Sequence, residues 1–361
     1  MTRQPLIAIA AGGTGGHLFP ALAVAQELQA SSAAEIVFFG TARGHEARIV
    51  PLKGYRLHKI WIKGYPRKLK WEILLLPLKF FVALLQSLYH LTKFWPDCLL
   101  ATGGYVCLPV MLAAKLLGIP IIIHEQNSLP GITARIGARW AKSVFYSFDD
   151  SAKYFDYHPD AQLCGNPVSL EFSALTKQQA LQNLGLDQSK KTLLVLGGSQ
   201  GAASLNNAVK DKIELLAAKY NLIWGVGKGN LPENVPPGVL VKEFFDDMKT
   251  LYTASDLAVC RAGAMTLAEL AACALPAILI PFPYAAEDHQ RLNAQPLADD
   301  GAARLILDKE FNGKILLNTV EELFAQPHTL NDMSQKMNSF HRPQAGKIIA
   351  RKILSIARHE I

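Results

Sequence analysis

One local pattern constrains this chain more than any other: an apolar run, a glycine loop and a helical stretch follow one another twice. LIAIAA (6–11) leads into Gly12-Gly13-Thr14-Gly15-Gly16 and then PALAVAQELQA (20–30), and TLLVLGGSQGAASLNNAVKDKI (192–213) repeats the unit. Apolar runs of strand length follow each copy. They are EIVFFG (35–40), CLLATGG (98–104), PIIIHEQN (120–127) and SVFYSF (143–148), then NLIWGVG (221–227), DLAVCRAG (256–263) and PAILIPF (276–282). These runs are unbroken rather than alternating, which marks strands of a parallel sheet covered on both faces. The expected fold is α/β, with two Rossmann-like doubly wound lobes and a cleft between them. At about 150 residues per domain, the length also suits two domains. Turn residues Gly165-Asn166-Pro167 break the pattern, and Pro343 precedes a last helical run at 345–358. The lobes are therefore expected at 1–164 with 343–361, and at 165–342.

Half of the chain is hydrophobic and 19% is charged, which excludes a disordered or collagen-like protein. The formal charge of +7 is unevenly placed. Residues 1–164 carry 17 basic and 10 acidic side chains, whereas 165–361 carry 20 of each. Within 43–93 there are 11 basic residues against Glu46 and Glu72. A nucleic-acid binder spreads its cations over a face with aromatics between them. Here they crowd beside a very apolar stretch, which favours an anionic membrane surface and no nucleic acid. Five cysteines form no CxxC pair and no zinc spacing, as in a reduced cytosolic protein without disulfides. The N-terminus has too short an apolar core for a signal peptide.

Both glycine loops stand between a buried strand and a helix start, where bare N–H groups and the helix dipole favour a phosphate. Close strand–helix packing explains such a loop equally well. A dinucleotide site needs GxGxxG and an acid ending the second strand, and this chain has neither. No glycine-rich run ends in Lys-Ser or Lys-Thr, so a Walker A loop is also missing. In Arg261-Ala262-Gly263-Ala264-Met265-Thr266-Leu267-Ala268-Glu269 a strand enters, a glycine turns, and Thr266 and Glu269 share one helical face. A carboxylate there can accept both hydroxyls of a ribose. The alternative is that Thr266 and Glu269 form a capping box. Asp288, His289, Gln290 and Asn293 add polar groups after a proline-rich strand end.

GGTGGHLFPALAVA, HEQN, GNPV, GGSQGA, CRAGAMTLAE and DHQxxNA occur in this order. By these six motifs the chain resembles, over almost its full length, the bacterial undecaprenyldiphospho-muramoylpentapeptide β-N-acetylglucosaminyltransferases of glycosyltransferase family 28. The resemblance implies the GT-B fold, UDP-N-acetylglucosamine as donor, and lipid I at the cytoplasmic face of the inner membrane as acceptor. It implies inverting transfer to the MurNAc 4-hydroxyl, giving lipid II with a β-1,4 bond. It makes 165–342 the donor domain and the other lobe the acceptor and membrane domain, needs no cofactor, and leaves room for other cell-wall synthesis proteins as partners. Carried over residue by residue, the family's donor site falls on Thr14, Gly15, Gly16, Asn127, Ser199, Phe245, Ala264, Met265, Thr266, Leu267, Ala268, Glu269 and Gln290. Phe245 stands where members often have Ile, and its backbone would read the uracil edge. Ser169 stands where the family commonly has an arginine that contacts the donor. Either another basic group supplies that charge or the donor binds more weakly.

Glycosyl transfer needs charge stabilised on the departing UDP and a base for the acceptor hydroxyl. Adjacent acids occur (Asp149-Asp150, Asp246-Asp247, Asp299-Asp300) but no Asp-x-Asp, so a metal-independent site is expected. The candidate bases are His17, ranked first for an unperturbed pKa of about 6.5, and Glu125. His124 is expected to orient its loop. The run ILLLPLKFFVALLQSLYHLT (73–92) has Glu72, Lys79, Gln86 and Lys93 recurring along one edge, and Pro77 inside it. This favours peripheral attachment through Lys63, Arg67, Lys68, Lys70, Trp71, Leu75, Lys79 and Phe80 over a spanning helix, with part of the run packed into the core. Runner-up functions are a GT-B transferase with another lipid acceptor, a UDP-sugar 2-epimerase, and a non-catalytic nucleotide-sugar binding module.

Overall fold

Along the first strand Ile7 and Ile9 pack on one side with Leu18, Leu22 and Phe38, while Leu6, Ala8 and Ala10 pack on the other with Val37, Leu99 and Val110. A strand buried on both faces needs helices on both, which is the geometry of a parallel sheet. The computed structural model describes residues 3–30, 34–64, 75–169, 175–198 and 201–358. The chain divides into two compact units, 1–169 with 342–361, and 170–341.

The first unit holds seven parallel strands: β1 (Leu6–Ala10), β2 (Glu35–Gly40), β3 (Arg56–Lys59), β4 (Cys98–Ala101), β5 (Ile121–Glu125), β6 (Ser143–Tyr146) and β7 (Ala161–Leu163), in the order β3-β2-β1-β4-β5-β6-β7. The second holds six: β8 (Thr192–Leu196), β9 (Asn221–Gly225), β10 (Val239–Lys242), β11 (Leu257–Cys260), β12 (Ala277–Leu279) and β13 (Ala303–Leu305), in the order β10-β9-β8-β11-β12-β13. In both, the strand order reverses beside the first strand, β1 next to β4 and β8 next to β11. Loops leaving the C-terminal ends of those strands make the usual ligand crevice of such sheets.

The last helix, Ala345–Ala357, lays Ile349, Ile353 and Ile356 against Ile7 and Ile9 of the first unit. Gly165–Ser169, assigned to the second lobe from the sequence, stays with the first unit. The physical reason is local: Asn166 is buried, donating to the Gln126 carbonyl at 3.0 Å and accepting from the Ser147 hydroxyl at 2.9 Å. All five cysteines are free, four of them buried, and burial pushes each thiol up to about 12.

Candidate active site

In the first unit the helix Gly15–Ala30 starts directly from the glycine loop, so Gly15 and Gly16 present N–H groups at its N-terminus and Thr14 is exposed beside them. The TGG segment after β4 closes on this loop. At Gly104 (φ +82°) a Cβ would stand 2.1 Å from the Gly12 carbonyl oxygen, and at Gly103 a Cβ would stand 2.8 Å from His17 Nδ1. Only glycine lets the backbone and the imidazole come this close.

The half-buried His17 sits at the head of a polar chain. Its Nδ1 lies 3.1 Å from the Thr102 carbonyl oxygen and 2.9 Å from Gln126 Oε1. A carbonyl can only accept, so Nδ1 carries the proton, and neutral His17 keeps its lone pair on Nε2. No partner for Nε2 occurs among the described residues. The Gln126 amide nitrogen donates to the His124 carbonyl (2.8 Å) and to His124 Nδ1 (2.9 Å). His124 Nε2 in turn donates to the Gly165 carbonyl at 3.1 Å. Full burial lowers the His124 pKa to about 4, so this imidazole is neutral. Its expected loop-orienting role thus has concrete partners. Glu125 is buried as well, and both its oxygens are engaged. Oε1 accepts from the Asn127 N–H (2.9 Å) and side-chain amide (3.1 Å), and Oε2 accepts from the Gly131 N–H (3.0 Å). That carboxylate holds the 127–131 loop, and Asn127 is fixed by it. Glu46, which the sequence reading passed over, is wholly buried behind the glycine loop and accepts from the Thr41 N–H and hydroxyl.

In the second unit the helix Ala264–Ala272 is capped by Gly263, which offers no side chain. Thr266 is therefore inside the helix, and the capping-box reading of Thr266 and Glu269 is overturned: the helix begins three residues too early for it. The N–H groups of Ala264, Met265 and Thr266 find no acceptor among the described residues, as Leu267 makes the first helical bond, to Gly263. Met265 and Leu267 are buried, anchoring the helix, while Thr266, Ala268 and Glu269 are half-buried. Glu269 Oε2 accepts from the buried Tyr252 hydroxyl at 2.7 Å, and no partner for Oε1 occurs among the described residues. Burial pushes the Glu269 carboxyl above the usual carboxylate range, against the opposing pull of the Tyr252 hydrogen bond.

Phe245 buries its ring and leaves its backbone N–H and carbonyl without partners among the described residues. Gln290 Oε1 accepts from the Phe282 N–H at 2.9 Å and so holds the end of the strand run. Arg261 is committed to the protein. Its guanidinium donates to the carbonyls of Ile280 and Pro281, to Asp308 (2.6 Å) and to the Ser204 hydroxyl (3.1 Å). Ser169 is exposed at the end of the first unit. Ser199 lies outside the described residues. Among those described, no group of three or more His, Cys, Asp or Glu side chains could hold a metal ion.

Arg67, Lys68, Lys70 and Trp71 also lie outside the described residues. The helix Leu76–Phe94 follows, with Leu75 before it and Pro77 in its first turn. It has three faces. Ala83, Ser87 and Leu91 are buried. The polar edge docks on neighbouring segments of the same unit: Gln86 accepts from the Trp61 N–H (2.7 Å), Lys79 lies over the Trp61 ring, and His90 stacks near His58 and Phe94. The third face exposes Leu78, Phe81, Leu85 and Tyr89, with Trp61 exposed nearby. Lys63 is exposed, while Leu75, Lys79 and Phe80 are only half so. The apolar stripe at spacings of three and four was missed in the sequence because the whole run is apolar, and only packing separates its faces. No helix of the described residues is long and apolar enough to cross a membrane.

Residues 7–146 match the glycosyltransferase family 28 N-terminal domain, and 192–348 the glycosyltransferase family 28 C-terminal domain. A UDP-N-acetylglucosamine–N-acetylmuramyl-(pentapeptide) pyrophosphoryl-undecaprenol N-acetylglucosamine transferase of Desulfitobacterium hafniense (strain Y51) is 40% identical over 353 residues, covering 94% of this chain and 96% of its own. Its namesake from Caldanaerobacter subterraneus subsp. tengcongensis is 37% identical over 358 residues, covering 96% and 98%. The crystal structure of Acinetobacter baumannii MurG is 29% identical, covers 97% of this chain and 99% of that one, and superposes with a TM-score of 0.75. A UDP-GlcNAc 2-epimerase from Neisseria meningitidis, 16% identical over 97% of this chain and 99% of its own, reaches 0.67, a likeness of fold alone. Two doubly wound units in one chain with these neighbours make the fold GT-B. Both domains in order, and relatives at this identity over nearly the whole length, show that the chain belongs to glycosyltransferase family 28.

Proposed function

We propose that the chain transfers N-acetylglucosamine from UDP-N-acetylglucosamine to the 4-hydroxyl of MurNAc in lipid I, giving lipid II with inversion and without a metal. The observation that supports this reading is the second-unit set: among the described residues the N–H groups at 264–266, one oxygen of Glu269 and the Phe245 backbone have no partner. Those N–H groups suit a departing diphosphate, Glu269 suits the ribose hydroxyls, and the Phe245 backbone suits uracil. In the first unit His17 Nε2 takes the proton from the acceptor hydroxyl as that oxygen attacks the anomeric carbon and UDP leaves. Glu125, with both oxygens bonded to its own loop, is the weaker choice. The stripe Leu78, Phe81, Leu85 and Tyr89, with Trp61 and the cations of 63–79, attaches the enzyme peripherally to the anionic cytoplasmic face of the membrane.

Turnover with UDP-N-acetylglucosamine and a lipid I analogue, in excess chelator, tests the reading. Formation of the β-1,4 product supports it. Activity that needs added magnesium or manganese removes the metal-free part. Epimerisation of the donor without acceptor, or binding without turnover, removes the transferase assignment.

A further inference from the structure

The HEQN segment contributes a residue whose role the sequence does not assign. We propose that Gln126 is a positioning residue that fixes His17 in the Nδ1–H tautomer, with His124 as its anchor, so that Nε2 is held as the bare, proton-accepting nitrogen. This rests on the reading of His17 as the base.

The hydrogen-bond directions follow from atoms whose roles are unambiguous. The Thr102 carbonyl near His17 Nδ1 requires a proton on that nitrogen. The Gln126 atom at 2.9 Å from the same Nδ1 must then be its oxygen. That places the amide NH2 against His124, where the His124 carbonyl can only accept and where Nδ1 must therefore accept too. His124 meets this demand because it is neutral and its proton is spent on the Gly165 carbonyl. Every link has a single orientation. Turning the amide over would set oxygen against the His124 carbonyl and NH2 against a protonated Nδ1, losing bonds inside a buried network. Gln126 itself is 1% exposed, so water cannot replace it. With its Nδ1–H committed, His17 cannot move its proton to Nε2 without breaking two bonds. Accepting a proton at Nε2 strengthens both, since the imidazolium is the better donor.

The direct test is nitrogen NMR on the full chain with ¹⁵N-labelled histidine at a pH where His17 is neutral, with His17→Asn identifying its signals. A pyrrole-type Nδ1 and a pyridine-type Nε2 for His17 are expected, and the reverse pattern, or an even mixture, overturns the proposal. Gln126→Leu should then shift the tautomer balance towards Nε2–H. It should lower turnover about tenfold with donor KM unchanged, and move the acidic limb of the kcat/KM profile to lower pH because the imidazolium loses an acceptor. A folded Gln126→Leu with unchanged tautomer, turnover and pH profile also overturns it. His17→Ala run alongside separates the two readings. Undiminished turnover there removes the base and with it any catalytic role for Gln126. A large loss combined with the wrong wild-type tautomer removes Gln126 alone.

Discussion

Apart from the extra edge strand β7, the two units share one strand order and use it differently. At the switch point of the first sheet the TGG segment closes tightly on the glycine loop, and the polar group it seats is an imidazole locked by an amide. At the switch point of the second, the helix after β11 starts with three N–H groups that have no acceptor among the described residues, and it carries Glu269, bonded through one oxygen to Tyr252. The doubly wound order determines where loops gather, at the C-terminal ends of β1 and β4 or of β8 and β11. The chemistry comes from which side chains those loops carry. On the proposed reading, one unit moves a proton and the other holds a nucleotide.

The largest difference should appear in acid. His124 in the first unit is fully buried and its pKa is lowered to about 4, whereas no histidine of the second unit is buried among the described residues. The folded state refuses a proton that the unfolded chain accepts below about 6.5. Stability is therefore full above that pH and falls as the pH drops towards 4, by on the order of 3 kcal/mol. His58, lowered to about 4 by burial and by His90, Arg56 and Lys93, acts in the same sense. Hydrogen exchange against pH should show the first unit opening before the second, and His124→Gln should flatten the dependence. Simultaneous opening with an unchanged slope would break the contrast.

Next comes turnover. His17→Ala should lower it on the order of a hundredfold while donor affinity holds, as expected for loss of a general base. Glu269→Ala should do the converse, weakening donor binding by on the order of 1–3 kcal/mol as ribose hydroxyls lose their acceptor. Calorimetric titration of both variants with UDP checks this, and unchanged affinity in Glu269→Ala would assign the carboxylate to Tyr252 alone. The smallest effect concerns the surface. The second unit's exposed apolar side chains are scattered along its sequence, whereas Leu78, Phe81, Leu85 and Tyr89 share one helix face. Lys79→Gln should weaken sedimentation with anionic vesicles by roughly 1 kcal/mol, and Phe81→Glu should weaken it further at high salt. Binding unchanged by both would place attachment elsewhere.

The central strands could be read from sequence because each is buried on both faces and so appears as an unbroken apolar run. Four strands could not: β3, β7, β10 and β13, with sequences RLHK, AQL, VLVK and ARL. They are the four sheet edges, covered less completely and therefore free to carry polar residues. The site divides the same way. Glycines, His17 and Glu269 announce themselves by local pattern, whereas Gln126 acts on a residue 109 positions away, which no spacing rule encodes. At Thr266 the capping-box alternative failed because Gly263, the glycine at which the sequence already places the turn into the helix, starts the helix without a side chain.

The division of labour can be probed by one set of numbers: kcat/KM for UDP-N-acetylglucosamine in the wild type, His17→Ala, Glu269→Ala and the double variant. If the first unit supplies proton transfer and the second supplies donor binding, the two losses belong to separate steps and should multiply in the double variant, within about 0.5 kcal/mol of additivity. A double variant no worse than the weaker single one would mean that His17 and Glu269 serve the same step, and the separation of roles between the units would be wrong.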